Sequence, residues 1–236
     1  MVTVVLPVYN ERDNLAPLLA EIAASLAAIP HETVAVDDGS TDGSLEVLQA
    51  LRGTHPGLRI VALARNAGQS AAIAAGFAAA RVDVVVTMDA DGQNDPADVP
   101  RLLAALDDPT HPAAAVGFRP RRMDSAWRRL QSRVANGCRN LLTDDGIRDI
   151  GCSLKAMRVG AVTALPHFDG MHRFLPALIR LGGGLVVEVA VGHRPRRTGR
   201  SKYGMWNRAW RGLVDALGVR WLHRRRLDYV VREEIG

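Results

Sequence analysis

Residues 84–96 read VVVTMDADGQNDP, an apolar run followed at once by carboxylates at Asp89, Asp91 and Asp95. A carboxylate placed directly after a buried strand is costly unless it meets a cation, a donor or water. Asp89 and Asp91 are spaced i and i+2, so in an extended segment both side chains point the same way. Gly92 permits a sharp turn behind them, and Gln93 adds a neutral oxygen. Other apolar runs also end in acids: Glu11 follows VTVVLP, and Asp37 and Asp38 follow TVAV. Oxygens so concentrated repel one another unless a cation joins them, and Mg2+ or Mn2+ suits a site completed by substrate phosphates. These residues predict a crevice that holds a metal-bridged nucleotide diphosphate. A calcium loop of the EF-hand type does not fit, because Gly92 falls at the fourth position and Pro100 at the twelfth. Asp42 and Asp95 are read as turn and helix-cap residues only.

The elements that must gather these acids repeat one pattern of short apolar strand, polar turn and amphipathic helix. Strands are expected at 2–7, 33–36, 58–64 and 82–88. Helices should follow in the stretches from Arg12, SLEVLQALR, RNAGQSAAIAAGFAAA and PADVPRLLAAL, with Pro96 in a tolerant first turn. Such alternation predicts an α/β fold with a mostly parallel sheet and helices on both faces. Strands rich in valine along their whole length suit a sheet covered on both sides. In such sheets ligands bind beyond the carboxyl ends of the strands, near a switch in strand order. After AAAVGF (113–118) come a basic amphipathic helix, DSAWRRLQSRVANGCRNLLT, a strand in IGCSLKAM, a helix in HRFLPALIRL and a strand over 184–191. The loop GHRPRRTGRSKYG and a long helix over roughly 205–226 end the pattern. Residues 1–204 are therefore expected to form one domain, with a nucleotide-binding half at 1–118 and an acceptor half at 119–204. Residues 205–236 form an amphipathic extension.

Charge divides at the same place. Residues 1–118 carry 6 Lys+Arg against 15 Asp+Glu, whereas residues 119–236 carry 24 against 10. An excess of that size in one half marks an anionic partner. In the last helix Trp206, Trp210, Leu213, Leu217 and Trp221 follow one face, flanked by Arg208, Arg211, Arg220 and Arg224–Arg226. Tryptophan and arginine at this period compose an interfacial helix for an anionic membrane surface. The competing reading packs the same tryptophans on the domain. No run approaches the roughly 18 apolar residues of a membrane span, and no secretory signal is evident. Two cysteines with no metal spacing fit a reducing compartment. The expectation is a cytoplasmic protein, peripheral at the inner face of the cytoplasmic membrane, with a homo-oligomer or a membrane partner left open.

LPVYNE (6–11), VDDGSTDGS (36–44), RNAGQSAA (65–72) and MDADGQNDP (88–96) together resemble family 2 glycosyltransferases of the GT-A fold. GFRPRR, SRVAN, DIGCSLKAMR, MHRFLPAL and HRPRRTGRSKYG are similar to stretches of the polyprenyl- and dolichyl-phosphate sugar synthases. The resemblance implies inverting transfer of a sugar from GDP-mannose or a UDP-hexose to a polyprenyl phosphate. It puts the donor site on Pro7, Tyr9, Glu11, Val36, Asp38, Asp89 and Ala90, and the metal on Asp91 and Gln93. Arg119, Arg196 and Lys202 match phosphate-gripping cations, and Arg133 lies in the acceptor-phosphate stretch. The groups expected to act in catalysis are Asp89, Asp91, Arg119, Arg133 and Lys202. Many relatives supply a general base from a Glu-Asp pair, where this chain has Phe168 and Asp169. A lipid phosphate needs no base, because its second ionisation lies near a pKa of about 6, and Asp169 as a general base is the second-ranked alternative. Alternatives are a non-lipid saccharide acceptor or a haloacid-dehalogenase-like phosphatase, although the nucleophile of the latter sits on the first strand. A nucleic-acid binder would explain the basic half but not the acidic crevice, so no nucleic acid is expected.

Overall fold

The computed structural model describes residues 1–120, 146–195 and 205–225, with side chains of the last stretch described at Gly212 and from Val214 onward. Seven strands form one sheet: β1 (Val2–Val8), β2 (His31–Asp37), β3 (Leu58–Ala62), β4 (Val84–Thr87), β5 (Ala114–Phe118), β6 (Lys155–Arg158) and β7 (Val186–Ala190). Their order is β3-β2-β1-β4-β6-β5-β7. The pairs β1·β2, β1·β4, β2·β3 and β5·β7 are parallel, while β6 runs antiparallel to both β4 and β5. The first four strands thus match the expected parallel wall, and one reversed strand joins it to β5 and β7.

Both faces of the sheet are covered, as the uniformly apolar strands require. The side chains of Val4, Leu6 and Val8 pack with Leu15, Leu18 and Ile22 of α1 (Arg12–Ser25). Val5 points the other way, toward Ile73 and Phe77 of α3 (Gln69–Ala79). That second helix lies so close that a Cβ on Gly76 would come within 2.2 Å of Val5 Cγ1. Glycine is here a packing requirement that outweighs its poor helix propensity. The remaining helices among the described residues are α2 (Ser44–Leu51), α4 (Val99–Leu106), α5 (Val159–Thr163), α6 (Met171–Leu181) and α7 (Met205–Arg224). A single 3-10 turn, Pro96–Asp98, precedes α4, with Asp95 accepting from Ala97 N at 3.0 Å as its cap. No helix among the described residues is long and apolar enough to cross a membrane.

Two details depart from the expected pattern. The strand in IGCSLKAM begins only at Lys155, because its partner β4 ends at Thr87, which pairs with Lys155. Upstream of that point the chain is held by Thr87 Oγ1, which donates to the Ser153 carbonyl at 2.7 Å. The short helix α5 was not foreseen in VGAVT, which carries no amphipathic period and no cap signal.

Glu32, on β2, fastens three strands: it accepts from Thr3 Oγ1 at 2.8 Å and from Arg59 Nη1 at 3.0 Å. Burial pushes its carboxyl up, but the hydrogen bonds from Thr3 and Arg59 outweigh this and hold it below its ordinary value of 4.5. A depressed acid stabilises the fold above its unfolded pKa, and that stability is lost as pH falls through the folded value. Glu32→Gln should therefore cost about 2 kcal/mol at neutral pH. The gap to wild type should close below pH 4.5, as read by urea denaturation across a pH series.

Candidate active site

The switch in strand order falls between β1 and β4, and the acids stand at the carboxyl ends of these strands and of β2. Two exit turns are laced together there by side chains. Asn10 N donates to Ser40 Oγ at 3.0 Å, Glu11 N to Ser44 Oγ at 3.0 Å and Arg12 N to Asp42 Oδ2 at 3.1 Å. Asn10 adopts a positive φ of 54°, a conformation asparagine tolerates, and its Oδ1 accepts from Thr41 N at 2.7 Å. Glu11 opens α1 and takes a hydrogen bond from Asn14 Nδ2 at 2.6 Å. The two turns form one rigid rim.

Asp38 is buried, and its carboxylate is occupied by the loop that leads into α3. It accepts from Ala67 N at 2.7 Å, Gly68 N at 2.9 Å and Asn66 Nδ2 at 3.0 Å. Asp38 thereby shapes the RNAG loop, which sets the first residue of α3. That residue, Gln69, donates from Nε2 to Asp89 Oδ1 at 2.8 Å.

Beyond β4 the chain turns at once. Asp89 N donates to Asn94 Oδ1 at 3.1 Å, and Gln93 N donates to Asp91 Oδ1 at 3.0 Å across Gly92, whose φ is 73°. The two bonds close a tight turn that holds Asp89 and Asp91 just beyond the carboxyl end of β4. Burial, and next the repulsion of Asp91, push the Asp89 carboxyl above its usual range.

The reversed strand β6 supplies what the sequence reading did not. Because it runs against β4, its first residues arrive at the same edge as Asp89. Ser153 Oγ donates to Asn94 Oδ1 at 2.8 Å, which supports the turn from behind. Lys155 is buried and donates to the Cys152 carbonyl; burial holds its ammonium below the ordinary value, against the pull of Cys152 and Asp89. Arg119 lies at the end of β5, where Nε meets Asp149 Oδ2 at 2.7 Å and Nη2 meets Asp149 Oδ1 at 3.0 Å. Burial works against that guanidinium charge, but the Asp149 pair outweighs it and raises the pKa. Arg119 is thus already bound to a carboxylate, a geometry the sequence reading did not include.

Of the other expected site residues, Pro7, Tyr9 and Gln93 are half-buried along the rim. Val36 and Ala90 are buried with their side chains in the core, so only their backbones can face a ligand. Arg133, Arg196, Lys202 and the basic helix at Trp127 lie outside the described residues. The residues missed are Gln69, Asn94, Asp149, Ser153 and Lys155. Each lies within or beside a motif stretch quoted above, but nothing local marks it as a support for Asp89.

On the far side, Asp169 is exposed, and a Cβ on Gly68 would lie 3.9 Å from its Oδ1. The corner is fixed by Ser70 Oγ, which accepts from Gly170 N at 2.9 Å and pairs with His172 Nδ1 at 2.7 Å. Helix α7 packs on α6 through Ala216 and Val219 against Met171 and Phe174. Its opposite face exposes Val214 (50%), Leu217 (50%) and Trp221 (61%), with Arg224 and Arg225 exposed beside them. The two described members of the predicted stripe, Leu217 and Trp221, thus face outward and not onto the domain.

Among the described residues no group of three or more His, Cys, Asp and Glu side chains converges to hold a metal unaided. The donor set fits Mg2+ or Mn2+ nonetheless, since such ions take one or two carboxylates and complete their shell from phosphate and water. Asp91 beside Gln93 on a fixed turn meets that requirement with oxygen donors, the kind that such ions prefer.

The sequence profile of Glycosyl transferase family 2 matches residues 3–165. The undecaprenyl-phosphate 4-deoxy-4-formamido-L-arabinose transferase of Edwardsiella ictaluri is 40% identical over 86% of this chain and 63% of its own length. The dodecaprenyl-phosphate galacturonate synthase of Rhizobium johnstonii is 37% identical over 94% of this chain and 67% of its own. The chain therefore spans about two thirds of the length of these relatives. Among solved structures, glucosyl-3-phosphoglycerate synthase from Mycobacterium tuberculosis, in complex with Mn2+, UDP and glucosyl-3-phosphoglycerate, superposes with a TM-score of 0.73 at 22% identity. It covers 93% of this chain and 80% of that one. That likeness concerns the fold, which is the GT-A arrangement of a mostly parallel sheet flanked by helices. With the profile spanning more than half of the sequence, this chain belongs to glycosyl transferase family 2.

Proposed function

We propose that the chain transfers a glycosyl unit from a nucleoside diphosphate sugar to a polyprenyl phosphate, with Mg2+ or Mn2+, at the cytoplasmic face of a membrane. The observation that carries this reading is the Asp89–Gln93 turn, which holds two carboxylates at the strand-order switch. The names of the two relatives support the acceptor, since both act with a polyprenyl phosphate. The Mn2+ and UDP bound by the mycobacterial enzyme support the donor and the ion.

Asp91 and Gln93 hold the ion, which when bound neutralises the charge of the departing diphosphate. Asp89 stays in place through Gln69 and Asn94, so it faces the donor without rearranging. The buried Lys155 offsets part of the acid charge behind it. Pro7, Tyr9 and Glu11 on the rim, with the backbones of Val36 and Ala90, border the nucleoside, and Asp38 contributes through the loop it organises. A lipid phosphate arrives already ionised, so attack at the anomeric carbon, with inversion, requires positioning and charge neutralisation and no base. Arg119, Arg133, Arg196 and Lys202 are the cations assigned to those phosphates, with Arg119 and Arg133 on the acceptor. The exposed face of α7, apolar with arginines beside it, suits a peripheral protein on an anionic lipid surface.

A panel of UDP- and GDP-sugars with a short polyprenyl phosphate tests the reading. Metal-dependent passage of labelled sugar into the organic phase is the expected result. Label that enters a water-soluble phosphate ester would move the acceptor to a phosphorylated metabolite. Phosphate release from simple esters without sugar transfer would return the site to phosphatase chemistry.

A further inference from the structure

The basic loop after β7 contributes two assigned cations, Arg196 and Lys202, and neither explains Arg194. Its geometry connects three parts of the molecule. Nη1 meets Glu21 Oε2 of α1 at 2.6 Å, and Nη2 meets Asp95 Oδ1 at 2.8 Å. Its backbone N–H donates to the Gln93 carbonyl at 2.9 Å. Two residues earlier, Gly192 N donates to Asp98 Oδ2 at 2.7 Å. The segment that leaves β7 is therefore attached along the whole 93–98 stretch, and one guanidinium ties that stretch to α1.

We propose that Arg194 is a positioning residue for the metal-binding turn, holding Gln93 and Asp95 fixed against α1. This rests on the reading that Asp91 and Gln93 hold the ion. Asp95, expected only to start a helix, then has two duties on one oxygen: it caps the 3-10 turn at Ala97 N and anchors Arg194. The Arg194, Glu21 and Asp95 side chains are 36%, 31% and 28% exposed, so the ion pairs themselves add little to global stability. Their value is geometric. A planar guanidinium reaches two carboxylates on separate elements at once, which a lysine ammonium does not reproduce. Groups that orient a metal ligand from behind alter metal affinity more than they alter folding.

The test measures Mn2+ binding in the presence of UDP by electron paramagnetic resonance, which requires no turnover. Arg194→Ala should weaken Mn2+ binding about tenfold, with thermal unfolding nearly unchanged and the rate at saturating Mn2+ retained. Arg194→Lys should recover part of the loss. Glu21→Gln, placed on α1 outside the turn, should weaken binding in the same direction, and adding it to Arg194→Ala should have no further effect. Unchanged Mn2+ affinity in Arg194→Ala, or independent effects of the two substitutions, overturns the assignment. If Arg194→Ala proves unstable, unchanged affinity in Glu21→Gln overturns it by itself. A wild-type chain that binds no Mn2+ with UDP overturns the metal reading and this inference together, whereas wild-type binding with unchanged affinity in both variants overturns this inference alone.

Discussion

Replacing Asp91 with asparagine should lower the transfer rate about a thousandfold while leaving the folded protein at least as stable as wild type at neutral pH. The carboxamide oxygen can still accept from Gln93 N, the 3.0 Å bond that closes the turn, so the shape of the site persists. What is lost is the negative charge that binds the ion, and an ion that neutralises a leaving diphosphate is worth several kcal/mol in the transition state. Stability should move the opposite way. Burial and then Asp91 push the Asp89 carboxyl up, so ionised Asp89 costs the fold free energy at neutral pH. An acid raised in the folded state weakens the fold as pH climbs above its unfolded value, and removing Asp91 relieves part of that penalty. Initial rates across a Mn2+ titration, set beside thermal unfolding, separate the two effects. Full activity would refute the metal assignment, and a collapse in melting temperature would show that Asp91 serves the fold.

The second large effect concerns the outer face of α7. Val214→Ser, Leu217→Ser and Trp221→Ser combined should reduce partitioning onto anionic vesicles about a hundredfold, as expected when three apolar side chains are withdrawn from an interface. The inward residues Ala216 and Val219 keep the helix on α6, so circular dichroism and melting should change little. Sedimentation with phosphatidylglycerol vesicles provides the measurement. Equal binding of the variant would remove this face from the membrane reading, and a change of oligomeric state in place of vesicle release would assign it to another copy of the chain.

The sequence reveals the parallel wall because its signal is local. Apolar runs, three of the four closed by acids, announce strand ends, and i and i+2 spacing puts Asp89 and Asp91 on one side. The supporting residues lack any such signal. Gln69 reaches Asp89 from the start of α3, and Asn94 holds the turn only because Ser153 comes back to meet it. Arg119 is marked by its motif, but nothing local shows that Asp149, thirty residues later, pairs with its guanidinium. These contacts depend on strand order and direction, which hydrophobic periodicity does not encode. Val36 and Ala90 show the reverse limit: motif position marks them as donor residues, while their side chains complete the core.

The direction of β6 also has a consequence for how the chain acquires its structure. Strands β3, β2, β1 and β4 are neighbours formed from the first part of the chain, and they can pair as soon as they are made. β5 is synthesised next but has no seat beside β4, because that seat belongs to β6, some forty residues downstream. Pairing Val84 with Arg158 closes a long loop, the kind of step that slows folding. During synthesis β5 must wait as an unpaired apolar segment, and the catalytic edge remains without Ser153 and Lys155 until it docks. Binding competence should therefore appear last in refolding, together with the insertion of β6, well after most of the helix and parallel sheet has formed.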